Sequence, residues 1–168
     1  MRIAAIGLMV GLLASSSATS GERMTPERLW QLDRLGSTCL DADGDLIAYV
    51  VREYDWKKNQ GTADIHLLDL DKNRDWIVAR DLESASSLQF VESKGGWRLL
   101  YVGRPAEKTK SEKDKEKEDD ERVKPQVWLI DQKETPPVQV TDMPKGVAHL
   151  RVSPQGTHIA FTSEVKLD

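Results

Sequence analysis

The stretch DADGDLIAYV, residues 41–50, joins a tight turn to an apolar strand. This pattern decides the fold, because it occurs three times in the chain. The second copy is SKGGWRLLYV at 93–102, and the third is SPQGTHIAFT at 153–162. The glycines that end the three turns, at positions 44, 96 and 156, are 52 and 60 residues apart. A period in this range predicts stacked repeats such as propeller blades.

Two further strand types recur between these copies. Residues 64–69 match 126–131, and residues 77–81 match 138–142. One repeat therefore contains four strands, which is the size of an antiparallel propeller blade. We predict an all-β fold, a partial β-propeller of two four-stranded antiparallel blades plus the start of a third, preceded by a short helix. The predicted segments are a lead-in at 21–38, blades at 39–83 and 84–145, and a partial blade at 146–168.

The distribution of apolar residues supports stacked blades. Residues 47–51 are apolar at every position, and so are Leu129 and Ile130. A sheet with one solvated face would alternate polar and apolar residues, as 138–141 does. The inner strands are therefore predicted to be buried on both faces.

The lead-in carries the signals of a helix start. Thr25 is a good capping residue, Pro26 suits the first helical position, and Glu27 favours the positive end of the helix dipole. Gly36 is predicted to end this helix.

The N-terminus is predicted to be a signal peptide at 1–20. Arg2 gives it a positive start, residues 3–14 form an apolar run, and residues 15–20 are small. The apolar run is short for a membrane span, and an uncleaved anchor is the alternative. The mature chain is expected to be periplasmic or secreted.

The segment at 107–122 is almost wholly charged, within a loop predicted at 106–124. It cannot bury enough apolar surface to fold alone. We expect an extended hairpin tip that is disordered or weakly helical. Docking of a neighbouring domain is the alternative role for this charged loop.

Composition excludes some classes of function. The net charge of −4 argues against nucleic acid as a main partner, since phosphate binding needs a basic excess. The one cysteine, Cys39, cannot form an intrachain disulfide, and we expect it to pack as a small strand residue. A catalytic thiol is the alternative, which would need a positioned histidine.

Residue patterns predict no catalytic, cofactor-binding or metal residue, and no cofactor. The chain has no Gly-x-Ser-x-Gly elbow. Asp41, Asp43 and Asp45 resemble the start of a calcium loop, but Arg52 stands where the twelfth-position glutamate belongs. The three histidines are expected to be packed or surface residues rather than catalytic ones: His66, His149 and His158. The five tryptophans are expected mainly to pack: Trp30, Trp56, Trp76, Trp97 and Trp128.

The ordered set of residues 24–32, 43–50, 53–55 and 61–65, with the later turn at 153–156, resembles the start of a prolyl-oligopeptidase-type serine peptidase. The resemblance is to the acylaminoacyl-peptidase and dipeptidyl-peptidase branch, and it covers about residues 24–168. Three turn positions depart from the family's serine-proline-aspartate-glycine pattern. They are Asp41-Ala42 in the first turn, Lys94-Gly95 in the second, and Gln155 in the third.

The resemblance implies a propeller that restricts peptide substrates, followed by an α/β-hydrolase domain that supplies a Ser-Asp-His triad. This chain contains no such domain, so it is expected to be inactive alone, with the hydrolase domain as its partner. Membrane contact is expected only through the signal peptide. One alternative is a non-catalytic periplasmic module that binds proteins, as Tol-type propellers do, and another is a gene remnant without function.

Overall fold

The computed structural model describes residues 23–91, 95–105, 123–132 and 134–165. Strands make up 60% and helix 4% of it, with antiparallel sheets, so the all-β prediction is confirmed. The signal peptide and most of the charged loop lie outside the described residues. The elements are α1 (Pro26–Trp30), β1 (Arg34–Leu40), β2 (Leu46–Asp55), β3 (Gln60–Asp69), β4 (Arg74–Val91), β5 (Arg98–Pro105), β6 (Gln126–Asp131), β7 (Glu134–Gln139), β8 (Ala148–Val152) and β9 (Ile159–Thr162).

Helix α1 begins as its sequence predicts and ends earlier. The Thr25 hydroxyl accepts from the Arg28 backbone N–H at 3.3 Å, and proline occupies the first turn. The predicted end at Gly36 is wrong, because β1 already begins at Arg34, inside the segment assigned to the lead-in. A β-carbon at Gly36 would lie 3.2 Å from the Val50 Cβ, so this glycine lets β1 approach β2 closely.

Seven strands form one sheet in the order β1-β2-β3-β4-β5-β6-β7, and β8 and β9 form a second sheet. The 18-residue strand β4 belongs to both halves of the large sheet. Residues 74–82 pair with β3, and residues 82–91 pair with β5. Asp81 has a φ of 54°, and its N–H donates to the Asp64 carboxylate at 2.8 Å, where the pairing partner changes. The predicted blade boundary at 83/84 therefore falls inside one continuous strand.

The glycines of the three repeated turns have the conformation that the turns require. Gly44, Gly96 and Gly156 all have positive φ, at 84°, 136° and 66°. This left-handed region favours glycine, because a β-carbon would be strained there. In the third turn the Gly156 N–H donates to the Ser153 carbonyl at 2.8 Å, as in a type I turn.

Asp41 organises the first turn. Its Oδ1 accepts backbone N–H bonds from Gly44, Asp45 and Leu46, at 3.0, 2.9 and 3.0 Å. We expect Asp41→Ala to lower the free energy of unfolding by roughly 1–2 kcal/mol, since three donors lose their acceptor in a partly buried turn. Urea denaturation measures the loss.

The matched control for this turn is Asp43→Ala. Asp43 is exposed and accepts no side-chain hydrogen bond from the described residues, and it carries the same charge into the same turn. Equal losses for the two variants would contradict the role of Asp41, because the effect would then be one of charge alone.

Both faces of β5 are buried. Leu99 and Tyr101 belong to one hydrophobic cluster, which contains Ala48 and Val50 from β2. Leu100 and Val102 belong to a second cluster, with Leu150 from β8. This strand thus has the predicted two-sided burial. Strand β2, on which the prediction mainly rests, does not: Ala48 and Val50 are buried, but Ile47, Tyr49 and Val51 on the other face are only half-buried. Each fully buried side chain of this size stabilises the fold by about 1.5–3 kcal/mol.

Polar contacts join the second sheet to the first. The buried Gln126 side chain donates to the Met143 carbonyl at 2.8 Å and accepts from the Met143 N–H at 3.0 Å. The Val147 N–H donates to the Pro125 carbonyl at 2.8 Å. These bonds fix the segment that leads into β8.

The edges of the large sheet differ in chemistry. Strand β7 carries Pro136 and Pro137, which have no N–H to donate to another strand. At β1, the Ser37 hydroxyl accepts from the Leu88 N–H of β4 at 3.4 Å. Strand β1 is therefore in contact with the part of β4 that pairs with β5.

Candidate functional site

The described residues contain one cluster of titratable side chains held across three strands. Tyr49 of β2 and His66 of β3 face each other in register, with their rings stacked at 5.0 Å. The Asp75 Oδ2 of β4 accepts from the Tyr49 hydroxyl at 3.0 Å and lies 3.3 Å from the His66 Nδ1. Desolvation raises the pKa of Tyr49, and the bond to Asp75 raises it further.

This cluster holds a histidine against a carboxylate, which is two-thirds of a nucleophilic triad. Among the hydrogen bonds of the described residues, none joins His66 to a serine, threonine or cysteine. The aspartate instead anchors a histidine and a tyrosine on the sheet surface. The cluster can therefore bind through hydrogen bonds and a ring face, but it has no activated nucleophile.

The other two histidines lie near β8 and β9. His149 Nδ1 is 3.0 Å from the Thr162 Oγ1, and that hydroxyl donates to the Ala148 carbonyl at 3.2 Å. His158 Nδ1 is 2.9 Å from the hydroxyl of its neighbour Thr157. Both histidines are exposed, which is one of the two placements predicted for them, while His66 is half-buried in the stacked cluster.

The acidic turns at the β1–β2 and β3–β4 ends lie near each other. The charge of Asp71 raises the pKa of Asp45, with contributions from desolvation and from Asp41, Asp43 and Asp69. Asp69 instead has a lowered pKa, because its carboxylate accepts from the Lys72 ammonium at 2.7 Å. No group of three or more potential ligands within the described ranges is placed to hold a metal ion.

Cys39 packs beside the first hydrophobic cluster, as the sequence predicts. Burial raises the pKa of its thiol to about 11. The thiolate is the nucleophilic form of cysteine, so this position suits packing rather than catalysis.

The raised pKa makes a measurable difference in reactivity. We expect Cys39 to react with a thiol-specific disulfide reagent at pH 8 about 100-fold more slowly in the folded chain than in the unfolded chain, because its thiolate fraction falls by that factor. The same chain in concentrated urea is the control. Equal rates in the two states would show that the thiol is neither buried nor suppressed.

A surface groove of about 390 Å³ lies where β8 begins and where the chain leaves β9. The Ser163 hydroxyl donates to the Gly146 carbonyl at 2.7 Å beside it. Lys145 and Glu164 supply opposite charges to the lining, and both are exposed. The groove therefore has polar groups, but those two charges are not held in place by burial.

An exposed aromatic surface surrounds α1 and the tip of the β2–β3 hairpin. Trp30 packs against Tyr54 with ring centroids 5.0 Å apart, and the Arg34 guanidinium lies 5.0 Å from the Trp30 ring. Trp56 is 49% exposed, with the Lys57 ammonium 5.8 Å from its ring. Cation–π contacts of this kind contribute about 0.5–1 kcal/mol at exposed sites.

The tryptophans divide into two groups. Trp76, Trp97 and Trp128 pack against the first hydrophobic cluster, so the prediction of packing is confirmed for them. Trp30 and Trp56 are 43% and 49% exposed, and Trp30 packs on Tyr54 rather than in either hydrophobic cluster. Trp30 ends α1 and Trp56 follows β2, so both lie on the exposed aromatic surface.

Comparison with known proteins gives no identification. No family model matches the chain, and no curated protein matches it. Within the described part, no helix is long and apolar enough to cross a membrane.

The cluster of Tyr49, His66 and Asp75 is the site that sequence patterns missed. Its three residues are widely separated along the chain, and they meet only through strand pairing. The repeat itself offered one signal. Tyr49 aligns with Tyr101 and His66 aligns with Trp128, so Tyr49 and His66 could have been expected to pair across two strands as Tyr101 and Trp128 do. Register between the strands was needed to join them.

Proposed function

We propose that this chain is the propeller portion of an exported serine peptidase of the prolyl-oligopeptidase type. In this proposal its role is to restrict access of peptides to a separate hydrolase domain. The catalytic serine, aspartate and histidine are expected in that domain and not in this chain. The described residues would then supply shape and shielding, with peptides as the substrate class of the complete enzyme.

The observation that carries the proposal is the two-sided burial of β5. Leu99 and Tyr101 pack toward the first four strands, and Leu100 and Val102 pack toward β8 and β9. Sheets stacked face to face in this way are what propeller blades require. The three turns in matching register, each with a glycine at positive φ, support the same architecture.

A second candidate is a non-catalytic module that binds other proteins in the periplasm. The exposed aromatic surface at Trp30, Tyr54 and Trp56 favours it, since aromatic residues are enriched at protein interfaces. The two candidates share the propeller and differ in whether a hydrolase domain completes the protein.

We expect the 168-residue chain to leave peptidyl chromogenic substrates unhydrolysed. The reason is that no histidine in its described part contacts a nucleophile with an acidic partner. The assay is run beside a product in which the gene region downstream of Asp168 is joined to the chain. Turnover by the chain alone that a serine-directed inhibitor abolishes would contradict this assignment.

The joined product decides between the two candidates. If the downstream region encodes further blades and a Gly-x-Ser-x-Gly elbow, and the product hydrolyses peptides, the peptidase proposal is supported. If the region encodes only blades, the peptidase proposal fails and the binding module remains. Ser→Ala in the elbow is the matched control for the hydrolysis.

A further inference from the structure

The dipeptide Asp43-Gly44 gives the first repeated turn a chemistry that the other two turns lack. Gly95 and Gln155 stand before the glycine in those turns, and no other aspartate in the chain is followed by glycine. Glycine has no β-carbon, so its backbone nitrogen meets no side-chain hindrance when it approaches the preceding carboxyl group. An aspartate in this context can convert to isoaspartate without an enzyme, which makes the dipeptide a candidate site of modification.

The conversion proceeds through a cyclic imide and exchanges only water with the solvent. The Gly44 nitrogen bonds to the Asp43 Cγ, while the carboxyl group loses its hydroxyl and the nitrogen loses its proton, together as water. Water then opens the ring at the former main-chain carbonyl of Asp43. The main chain now runs through the Cβ and Cγ of residue 43, so it is one carbon longer, and the released carboxylate is attached to Cα.

The side chain that would react is available in the folded chain. Asp43 is exposed, and among the described residues its carboxylate accepts no side-chain hydrogen bond. Gly44 has a φ of 84°, in the left-handed region that glycine adopts without strain. Both reacting groups belong to adjacent residues, so the reaction needs no binding surface and no partner.

The nitrogen that would react is instead restrained by Asp41. The Gly44 N–H donates to the Asp41 Oδ1 at 3.0 Å, and the N–H groups of Asp45 and Leu46 donate to the same oxygen at 2.9 and 3.0 Å. Ring closure removes the proton from the Gly44 nitrogen, so it also removes the first of these bonds. The charge of Asp41 opposes the loss of that proton, because negative charge would develop on a nitrogen beside a carboxylate.

We propose that Asp43-Gly44 is a site of spontaneous isoaspartate formation, and that Asp41 restrains the reaction while the turn is folded. The proposal does not depend on peptidase activity. It goes beyond the proposed function by naming a covalent change that the chain undergoes by itself.

The product is not compatible with the turn as it stands. The added main-chain carbon lies between Asp41 and the three N–H groups that converge on its Oδ1. These groups cannot all keep their positions once the connection is longer. Strand β2 begins at Leu46, directly after the turn. We therefore expect the modified chain to unfold at a lower urea concentration than the unmodified chain.

The test follows the tryptic peptide 35–52, which begins after Arg34, ends at Arg52 and contains the whole turn. The full chain is kept at neutral pH for several weeks, either folded or in guanidinium chloride. Isoaspartate at position 43 is measured by chromatography and electron-transfer fragmentation, because the isomerisation does not change the mass. We expect it to form at least about tenfold more slowly in the folded chain, the factor that corresponds to one hydrogen bond to a charged group.

Variants of the turn separate the hydrogen bonds from the charge. Asp41→Ala removes the acceptor, and the folded variant should form isoaspartate at least about tenfold faster than the parent. Asp41→Asn keeps an acceptor oxygen without the charge, so its rate should lie between the two. Asp45→Ala is the matched control, because it removes a charge from the same turn and keeps the backbone N–H. Its rate should stay within about twofold of the parent.

Tyr49→Ala is the control for stability. It is expected to lose about as much unfolding free energy as Asp41→Ala, but it leaves the Asp41 hydrogen bonds in place. Its rate of isoaspartate formation should therefore stay within about twofold of the parent. Circular dichroism of each variant shows whether it is folded during the incubation.

Several results would overturn the proposal. Equal rates in the folded and denatured parent would mean that the folded turn does not restrain the reaction. A rate for Asp41→Ala equal to that of the parent would exclude Asp41 as the restraint, and a slower rate would mean that Asp41 promotes ring closure by accepting the proton. A Tyr49→Ala rate as high as that of Asp41→Ala would assign the reaction to global unfolding. The peptidase proposal would be untouched by any of these results.

Discussion

The Tyr101→Ala variant is expected to lose about 3–5 kcal/mol of unfolding free energy, the usual cost of truncating a large buried aromatic side chain. Tyr101 is only 2% exposed, and it lies in the cluster that joins the two halves of the sheet. Burial also raises the pKa of its hydroxyl. Since whole domains are stable by only about 5–15 kcal/mol, the variant should be partly or fully unfolded near 37 °C.

The chain offers a matched control for this substitution. Tyr49 occupies the same position in the first repeat, but its hydroxyl reaches Asp75 at the surface and its ring is half-buried. Tyr49→Ala should cost only about 1–2 kcal/mol, because it removes the hydrogen bond to Asp75 and the stacking on the His66 ring without leaving a buried cavity. Urea denaturation at low protein concentration compares the two, and equal losses would contradict the assignment of Tyr101 to a buried contact.

Gly103→Ala is the second substitution with a large expected effect. A β-carbon at Gly103 would lie 2.3 Å from the Ser84 carbonyl oxygen and 2.8 Å from the Tyr101 ring. The carbonyl belongs to the paired strand β4, so it cannot move without breaking the ladder between β4 and β5. We expect a loss of about 3 kcal/mol or more, at the upper end of the cost of overpacking a core.

Gly61→Ala is the control for the glycine substitution. Its β-carbon would lie 3.4 Å from the Glu53 carbonyl and the Tyr54 ring, which requires only a small adjustment. The change should therefore leave the free energy of unfolding within about 1 kcal/mol of the parent. A Gly103→Ala protein as stable as Gly61→Ala would show that β4 and β5 are less closely paired.

The local features of the chain were predictable because each depends on a few neighbouring residues. Asp41 and Ser153 mark turns by their own hydrogen bonds to the backbone, and the apolar run at 47–51 marks a strand by composition alone. Two-sided burial depends on more than composition, since both β2 and β5 carry consecutive apolar residues but only β5 is buried on both faces.

The features that were missed depend on contacts between distant residues. A glycine often ends a helix, but Gly36 lies in β1, where its lack of a side chain allows close approach to Val50. The continuity of β4 depends on Asp64, which holds the Asp81 backbone at the bend. The cluster of Tyr49, His66 and Asp75 likewise required strand register, which no short pattern in the sequence supplies.

The two prolines of β7 determine how this β-rich chain can aggregate. Growth of a cross-β fibril needs a strand edge with free N–H groups, and exposed edges are where it starts. Pro136 and Pro137 remove two backbone donors from β7. Fibril growth is thus hindered at the β7 edge of the seven-stranded sheet.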